Sequence, residues 1–320
     1  MKHNNLNIAH ISDLHLNSFY SESNYEKIEF ILNFIRKKNV DHLVVTGDIV
    51  DNASSLDLQS IRELFEKYNL LDSTKLSVVA GNHDIFGSAQ TAEDLLQFPD
   101  RCSKTDYDAK LSEFILTFRE TFDDCIYTSK NGFFPYAKMI NNNLIIGLNS
   151  VARFSVIKNP FASNGEINGE QLSELHSILK DYRNEAKNII LLVHHHFYKP
   201  KNRKGLTFSG LWQNVEKRTM KLRKKKRIIN LLNKFQVDLV LHGHVHEEAD
   251  YEKRNIHFLN AGASIKGLKG KQLLINFIEI SGKQINTSTH KIKFEKSGDR
   301  RDDNENHYKH EKEFEESEIF

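Results

Sequence analysis

Cysteine is nearly absent from this chain. Cys102 and Cys125 are the only two in 320 residues, and they stand in no metal-binding or redox spacing. That excludes a disulfide framework and a thiolate zinc site, and leaves a reduced pair as the expectation. Long hydrophobic runs are missing as well. The longest apolar stretches are five or six residues and mean hydropathy is −0.54, which excludes a membrane-spanning segment. The N-terminal residues lead into a strand pattern without the apolar region of a secretory signal, so a cytoplasmic location with no membrane partner is expected. Neither sign of charge dominates: the net formal charge is +2, not the balance of a chain built to bind nucleic acid. What remains is a 39% hydrophobic chain able to bury one substantial core, with or without a small lobe.

Against that background, five polar blocks stand out: Asp13-Leu14-His15, Gly47-Asp48, Gly81-Asn82-His83-Asp84, His194-His195-His196 and Gly243-His244-Val245-His246. Each follows a short apolar run, namely 8–11, 43–45, 76–80, 189–193 and 238–241, and such runs read as buried strands. In α/β sheets, functional groups gather in the loops at the carboxyl ends of strands, so five strands can deliver these side chains to one edge. Carboxylate oxygens together with imidazole nitrogens suit Mn²⁺, Fe²⁺ or Zn²⁺. Asp13, His15, Asp48, Asn82, one histidine of 194–196, His244 and His246 make seven donors. One tetrahedral ion needs about four; two ions sharing a carboxylate would use all seven. Taken singly, each block has an ordinary explanation. Gly-Asp and Gly-Asn are common turn chemistry, and adjacent histidines can be a surface accident. Their joint placement after five strands is what argues for a metal centre.

The same blocks, with the wording Ile-Ala-His-Ile-Ser-Asp-Leu-His-Leu and Val-Val-Ala-Gly-Asn-His-Asp, resemble the calcineurin-like metallophosphoesterases from residue 7 to about 262. Within that superfamily the wording is most similar to the class III cyclic nucleotide phosphodiesterase branch. The resemblance implies a metallo-dependent phosphatase fold, two divalent ions (Mn²⁺ or Fe²⁺/Fe³⁺, with Zn²⁺ an option) and a hydroxide on those metals as nucleophile. It places Asp13, His15 and His246 on the first metal, Asn82 and His244 on the second, and Asp48 between them. For the fourth block, relatives read His-His-Pro. Aligning Phe197 to that proline selects His195, whereas counting from the end of the apolar run selects His194; His195 is the expectation. His83 would protonate the leaving group with Asp51 as its carboxylate partner, Asp84 being the fallback partner or a turn residue. The expected substrate is a small phosphodiester, including 3′,5′-cyclic nucleotides, with polynucleotides not favoured. A phosphomonoesterase, a nuclease or a non-catalytic scaffold on the same fold are the alternatives. Protein phosphatases fit poorly, because Asn52 follows Asp51 and Asp84 stands where they carry glutamate.

Apolar periodicity predicts helices over Tyr25–Lys38, Leu56–Tyr68, Ala109–Phe122 and Gly169–Arg183, with Phe114, Leu116 and Phe118 partly buried. A hairpin is expected over Phe133–Ile140 and Leu144–Asn149, and antiparallel strands over Ile256–Leu259, Gln272–Ile280 and Gln284–Phe294. This order suits an α/β, four-layer αββα sandwich of two mixed β-sheets flanked by helices. The expected domain spans 1–294, followed by a charged, disordered tail over 295–320. The basic segment Lys199–Arg227 should overhang the centre; Lys217–Arg227 reads as the exposed start of a helix whose later half packs inward, and Phe208 and Trp212 are candidates for substrate contact. Residues 85–108 and 150–168 read as substrate-facing loops.

Overall fold

The computed structural model describes residues 5–18, 22–89, 91–198, 220–265 and 272–294. Its strands are β1 Asn5–Ile11, β2 His42–Val45, β3 Leu76–Val78, β4 Tyr127–Ser129, β5 Phe133–Ile140, β6 Asn143–Gly147, β7 Asn188–Leu192, β8 Leu239–His242, β9 Ala249–Lys253, β10 Ile256–Asn260, β11 Gln272–Ser281 and β12 Gln284–Lys293. Helices are α1 Glu22–Lys37, α2 Ser55–Lys67, α3 Asn82–Phe86, α4 Ala92–Lys104, α5 Tyr107–Thr117, α6 Gly169–Tyr182 and α7 Lys225–Lys234. One mixed sheet runs β12-β11-β1-β2-β3, the other β4-β5-β6-β7-β8-β10-β9. Two mixed sheets flanked by helices are therefore what the chain builds.

Period-two alternation assigns each strand face. In β7, Ile190 and Leu192 join the core that links the two sheets with α1 and α2, while Ile189, Leu191 and Val193 pack under α6 and α7 with Leu175 and Ile228. Each fully buried aliphatic chain in these layers contributes about 1.5–3 kcal/mol. Polar ties cross the sheet interface: Tyr136 Oη donates to Val78 O at 3.0 Å and Lys138 Nζ to Leu76 O at 2.7 Å.

The parallel register sets where the site falls. Ile11 pairs with Val45, Val45 with Val78, and Leu192 with Leu241, so within each sheet the strands that precede the polar blocks end level; His194–Asp48 and His244–Asp13 contacts join the two edges. The β5–β6 hairpin closes at Asn141 and Asn142, both at positive φ, the backbone a two-residue turn between twisted strands requires.

Three expectations change. Residues 85–108 are not a loop: Thr91 caps α4 by accepting from Asp94 N, and Phe98 and Cys102, four apart, face the core. Pro99 inside that helix masked the pattern. Leu116 is 66% exposed, because the buried stripe of α5 runs through Leu111, Phe114 and Ile115 and continues at Phe118. The basic helix starts at Lys225, with Ile228, Ile229 and Leu232 turned inward as expected. Phe208, Trp212 and the 295–320 tail lie outside the described residues, as does 199–219. Cys102 and Cys125 are both free thiols. Among the described residues, no helix is long and apolar enough to cross a membrane.

Candidate metal centre

Beyond their last paired residues, β1 and β2 stay zipped together. Asp13 N donates to Gly47 O, His15 N to Asp48 O, Leu16 N to Ile49 O and Asp51 N to Leu16 O, at 2.9–3.0 Å. This irregular ladder brings Asp13 and His15 beside Asp48 and Asp51. Several of these residues sit in left-handed backbone: Asp13 (φ 54°), His15 (45°), Asp48 (49°) and His244 (73°). Such conformations cost on the order of 1–3 kcal/mol each and cluster at functional sites.

Gly47, at φ +88°, is where the fold needs a glycine. A Cβ there would lie 2.6 Å from both Gly81 N and His194 Nδ1. Gly47→Ala should therefore lower stability by about 1–3 kcal/mol from the backbone conformation alone. It should also push His194 out of place, read as a lower melting temperature and reduced metal content. An unchanged melting temperature would show that the close approach is not real.

Besides a His15–Asp51–His83 cluster, two groups of donors that share no residue result. In the first, Asp13, His15 and His246 converge, with His15 Nε2 3.1 Å from His246 Nε2 and Asp13 Oδ1 3.5 Å from His246 Nε2. In the second, Asp48, His194 and His244 converge. His194 Nε2 lies 3.2 Å from Asp48 Oδ2, 3.1 Å from His244 Nδ1 and 3.3 Å from Asn82 Oδ1. His83 stands at the rim with its side chain 24% exposed, Nδ1 3.2 Å from Asp51 Oδ1 and Nε2 4.0 Å from Asp48 Oδ2.

His195 is the one predicted donor that joins neither group, although its ring packs 4.3 Å from that of His244. It follows Val193 onto the face that carries α6, where its Nδ1 lies 2.8 Å from Ser150 Oγ. His194, in phase with Ile190 and Leu192, faces the other sheet, and its Nδ1 bonds Thr46 O at 2.7 Å. The geometry favours His194 over the expected His195, because strand phase, not the position of Phe197, decides which imidazole turns toward the other sheet. His194→Ala should remove one of two bound ions and His195→Ala should not, as metal analysis of the purified variants would show. The reverse result would return the role to His195. Asp84 does not touch His83: its two oxygens accept from Val50 N and Gly81 N, a loop-fastening role.

The donor set fits a pair of cations. Asp13 and Asp48 are buried, and among the described residues their close partners are imidazoles and backbone N–H groups rather than Lys or Arg. Burial alone would lower the His194 pKa, yet the Asp48 and Asp13 carboxylates raise it to about 9. The cluster thus draws positive charge inward. Burial raises carboxylate pKa values, but His194 and His83 hold Asp48 well below its ordinary value. Burial lowers His15 to about 4 against the pull of Asp51, and burial with the neighbouring imidazoles holds His244 well below its usual range, so both present lone pairs. Facing ring nitrogens 3.1 Å apart need a shared proton or a cation between them. Outer nitrogens held by Asp51 and Thr46 O are the supports that metal-binding imidazoles use.

A cavity of about 360 Å³ opens at the same sheet edge, walled in part by Tyr107, Asn149, Val151, Arg153 and Arg223. On its wall Tyr107 packs its ring 5.9 Å from Phe86 of α3, and none of the donor residues of the centre lines it. Of the aromatic residues Phe86, Phe98 and Tyr107 in the 85–108 segment, the first two are buried and Tyr107 lines this cavity.

Sequence reasoning did not single out Asn17, Thr46 or Ser150. Asn17 Nδ2 donates to Asp51 Oδ2 at 3.2 Å, and its place two residues after His15 was the available signal. Thr46 acts through a backbone carbonyl, which no side chain announces.

The sequence profile of the calcineurin-like phosphoesterase family matches residues 6–248. Among solved structures, a dimetal phosphatase from Danio rerio aligns with TM-score 0.57 and 11% identity, covering 89% of this chain and 98% of that one. A purple acid phosphatase from yellow lupin (Lupinus luteus) aligns with TM-score 0.54 and 11% identity over 90% of this chain, which spans about half (51%) of that protein. At such identity both likenesses are of fold. No curated protein matches the chain.

Proposed function

Because the chain belongs to the calcineurin-like phosphoesterase family, a family of phosphoester hydrolases, we propose that it is a two-metal phosphodiesterase of small diesters, with 3′,5′-cyclic nucleotides the leading class. The observation that carries this reading is two adjacent donor groups, Asp13–His15–His246 and Asp48–His194–His244, joined where His244 N donates to the Asp13 carboxylate, with His83 at the open rim. Asp13, His15, Asp48 and His246 would hold one cation; Asp48, Asn82, His194 and His244 the other. Bound there, two divalent ions supply positive charge to the phosphoryl oxygens and to the attacking solvent. The chain's own residues do the rest.

His83 N donates to Asp48 Oδ1 at 2.8 Å, which fixes the start of α3 against the centre. Asp51 takes His83 Nδ1, so Nε2 turns toward Asp48 and is placed to give a proton to the departing alkoxide. Two features support a diester. The sequence wording resembles the cyclic nucleotide branch. A cavity of about 360 Å³ at the strand-end loops has room for an organic arm.

The test is a substrate panel on protein stripped by chelation and reloaded with Mn²⁺. Bis-p-nitrophenyl phosphate should be hydrolysed faster than p-nitrophenyl phosphate, and cyclic AMP and cyclic GMP should open to monophosphates while short single-stranded DNA stays intact. Monoester cleavage alone would refute the diesterase reading, and no turnover on any substrate would leave a scaffold.

A further inference from the structure

The Asp51 carboxylate faces two imidazoles. Oδ1 lies 3.2 Å from His83 Nδ1 and also 3.2 Å from His15 Nδ1, while Oδ2 accepts from Asn17 Nδ2. The two rings meet edge to face, centroids 4.7 Å apart, with the carboxylate against both. Asp51 is nearly buried, and its backbone N–H is tied to Leu16 O in the zipped loops, so its position is fixed from both sides. A neutral imidazole that donates from Nδ1 keeps its lone pair on Nε2. His83, which must carry a proton on each nitrogen to act as the donor, gives Nδ1–H to Asp51 and turns Nε2–H toward Asp48. For His15 the Nε2 lone pair faces His246 Nε2, with Asp13 Oδ1 3.9 Å away, in the first donor group. A carboxylate behind a metal-binding imidazole fixes its tautomer and raises its basicity.

We propose that Asp51 is a positioning residue shared by both halves of the reaction: through His15 it sets the affinity of the first donor group for its cation, and through His83 it orients the proton donor. This deepens the two-metal reading and rests on it. Cation uptake at Asp13–His15–His246 is therefore tied to the same side chain that aims His83, and losing one carboxylate impairs both.

The two tasks separate in a His83→Ala background, where the second no longer exists. The probe is Mn²⁺ alone, followed by titration calorimetry and by electron paramagnetic resonance, without substrate. His83→Ala should take up two Mn²⁺. Adding Asp51→Asn should weaken one of the two binding steps about 10–100-fold and leave the other unchanged. At limiting Mn²⁺ the spin-coupled pair should give way to a single-ion signal. Superimposable isotherms for His83→Ala and the double variant would overturn the proposal. Should the double variant fail to fold, Asn17→Ala removes the donor to Oδ2 and keeps the carboxylate. It should weaken the same single step, and no shift there would equally overturn the proposal. Fewer than two ions in the unmodified chain would overturn the two-metal reading itself, and this inference with it.

Discussion

Asp48→Ala should abolish phosphodiester turnover, by about 10³-fold or more, and should lower the metal content of the purified protein. The scale follows from losing a buried, pre-organised charge, where removal of even one stabilising group costs about 10²–10³-fold in rate. Asp48 does more than one group's work. Its Oδ2 is 3.2 Å from His194 Nε2, and its Oδ1 accepts the His83 N–H at 2.8 Å. Deleting it leaves His194 buried without its main counter-charge and frees the start of α3. Asp48→Asn, which keeps the shape and removes the charge, should lose most of the same activity while remaining folded by circular dichroism. Full activity or undiminished metal content in either variant would remove Asp48 from the centre of this account.

His83→Ala should behave differently: both metals retained, with a rate loss of about 10²–10⁴-fold that depends on the leaving group. A p-nitrophenolate leaving group departs without much help, so its hydrolysis should fall least. A ribose or simple alkyl alkoxide needs the proton, so its hydrolysis should fall most. The geometry supports this split, because His83 is partly open at the rim while Asp13, Asp48, His194 and His244 are buried. Equal losses across leaving groups would mean that His83 positions the phosphoryl group and does not protonate the departing oxygen.

Much of the fold was legible because its strands are short, apolar and each followed by a polar block. The parallel register, with Ile11, Val45 and Val78 level, is the physical reason those blocks meet at one edge. The hairpin was legible from Asn141 and Asn142, which tolerate the left-handed backbone found there. What stayed hidden was decided by tertiary context. The choice between His194 and His195 depends on which face of β7 meets the other sheet, and three adjacent histidines carry no sign of that phase. Asp51 was readable as a partner for His83 by resemblance. Its contact with His15 follows from the zipped β1 and β2 loops, whose left-handed residues no pattern of apolar spacing predicts. The helix α4 was missed because Pro99 interrupts a stripe that Phe98 and Cys102 otherwise mark.

The most direct test of the two-metal centre is anomalous diffraction from crystals of the full chain equilibrated with Mn²⁺. Two peaks are predicted on either side of Asp48, about 3.5–4 Å apart, one beside Asp13, His15 and His246 and the other beside Asn82, His194 and His244. A single peak, or none, among these side chains would contradict the account.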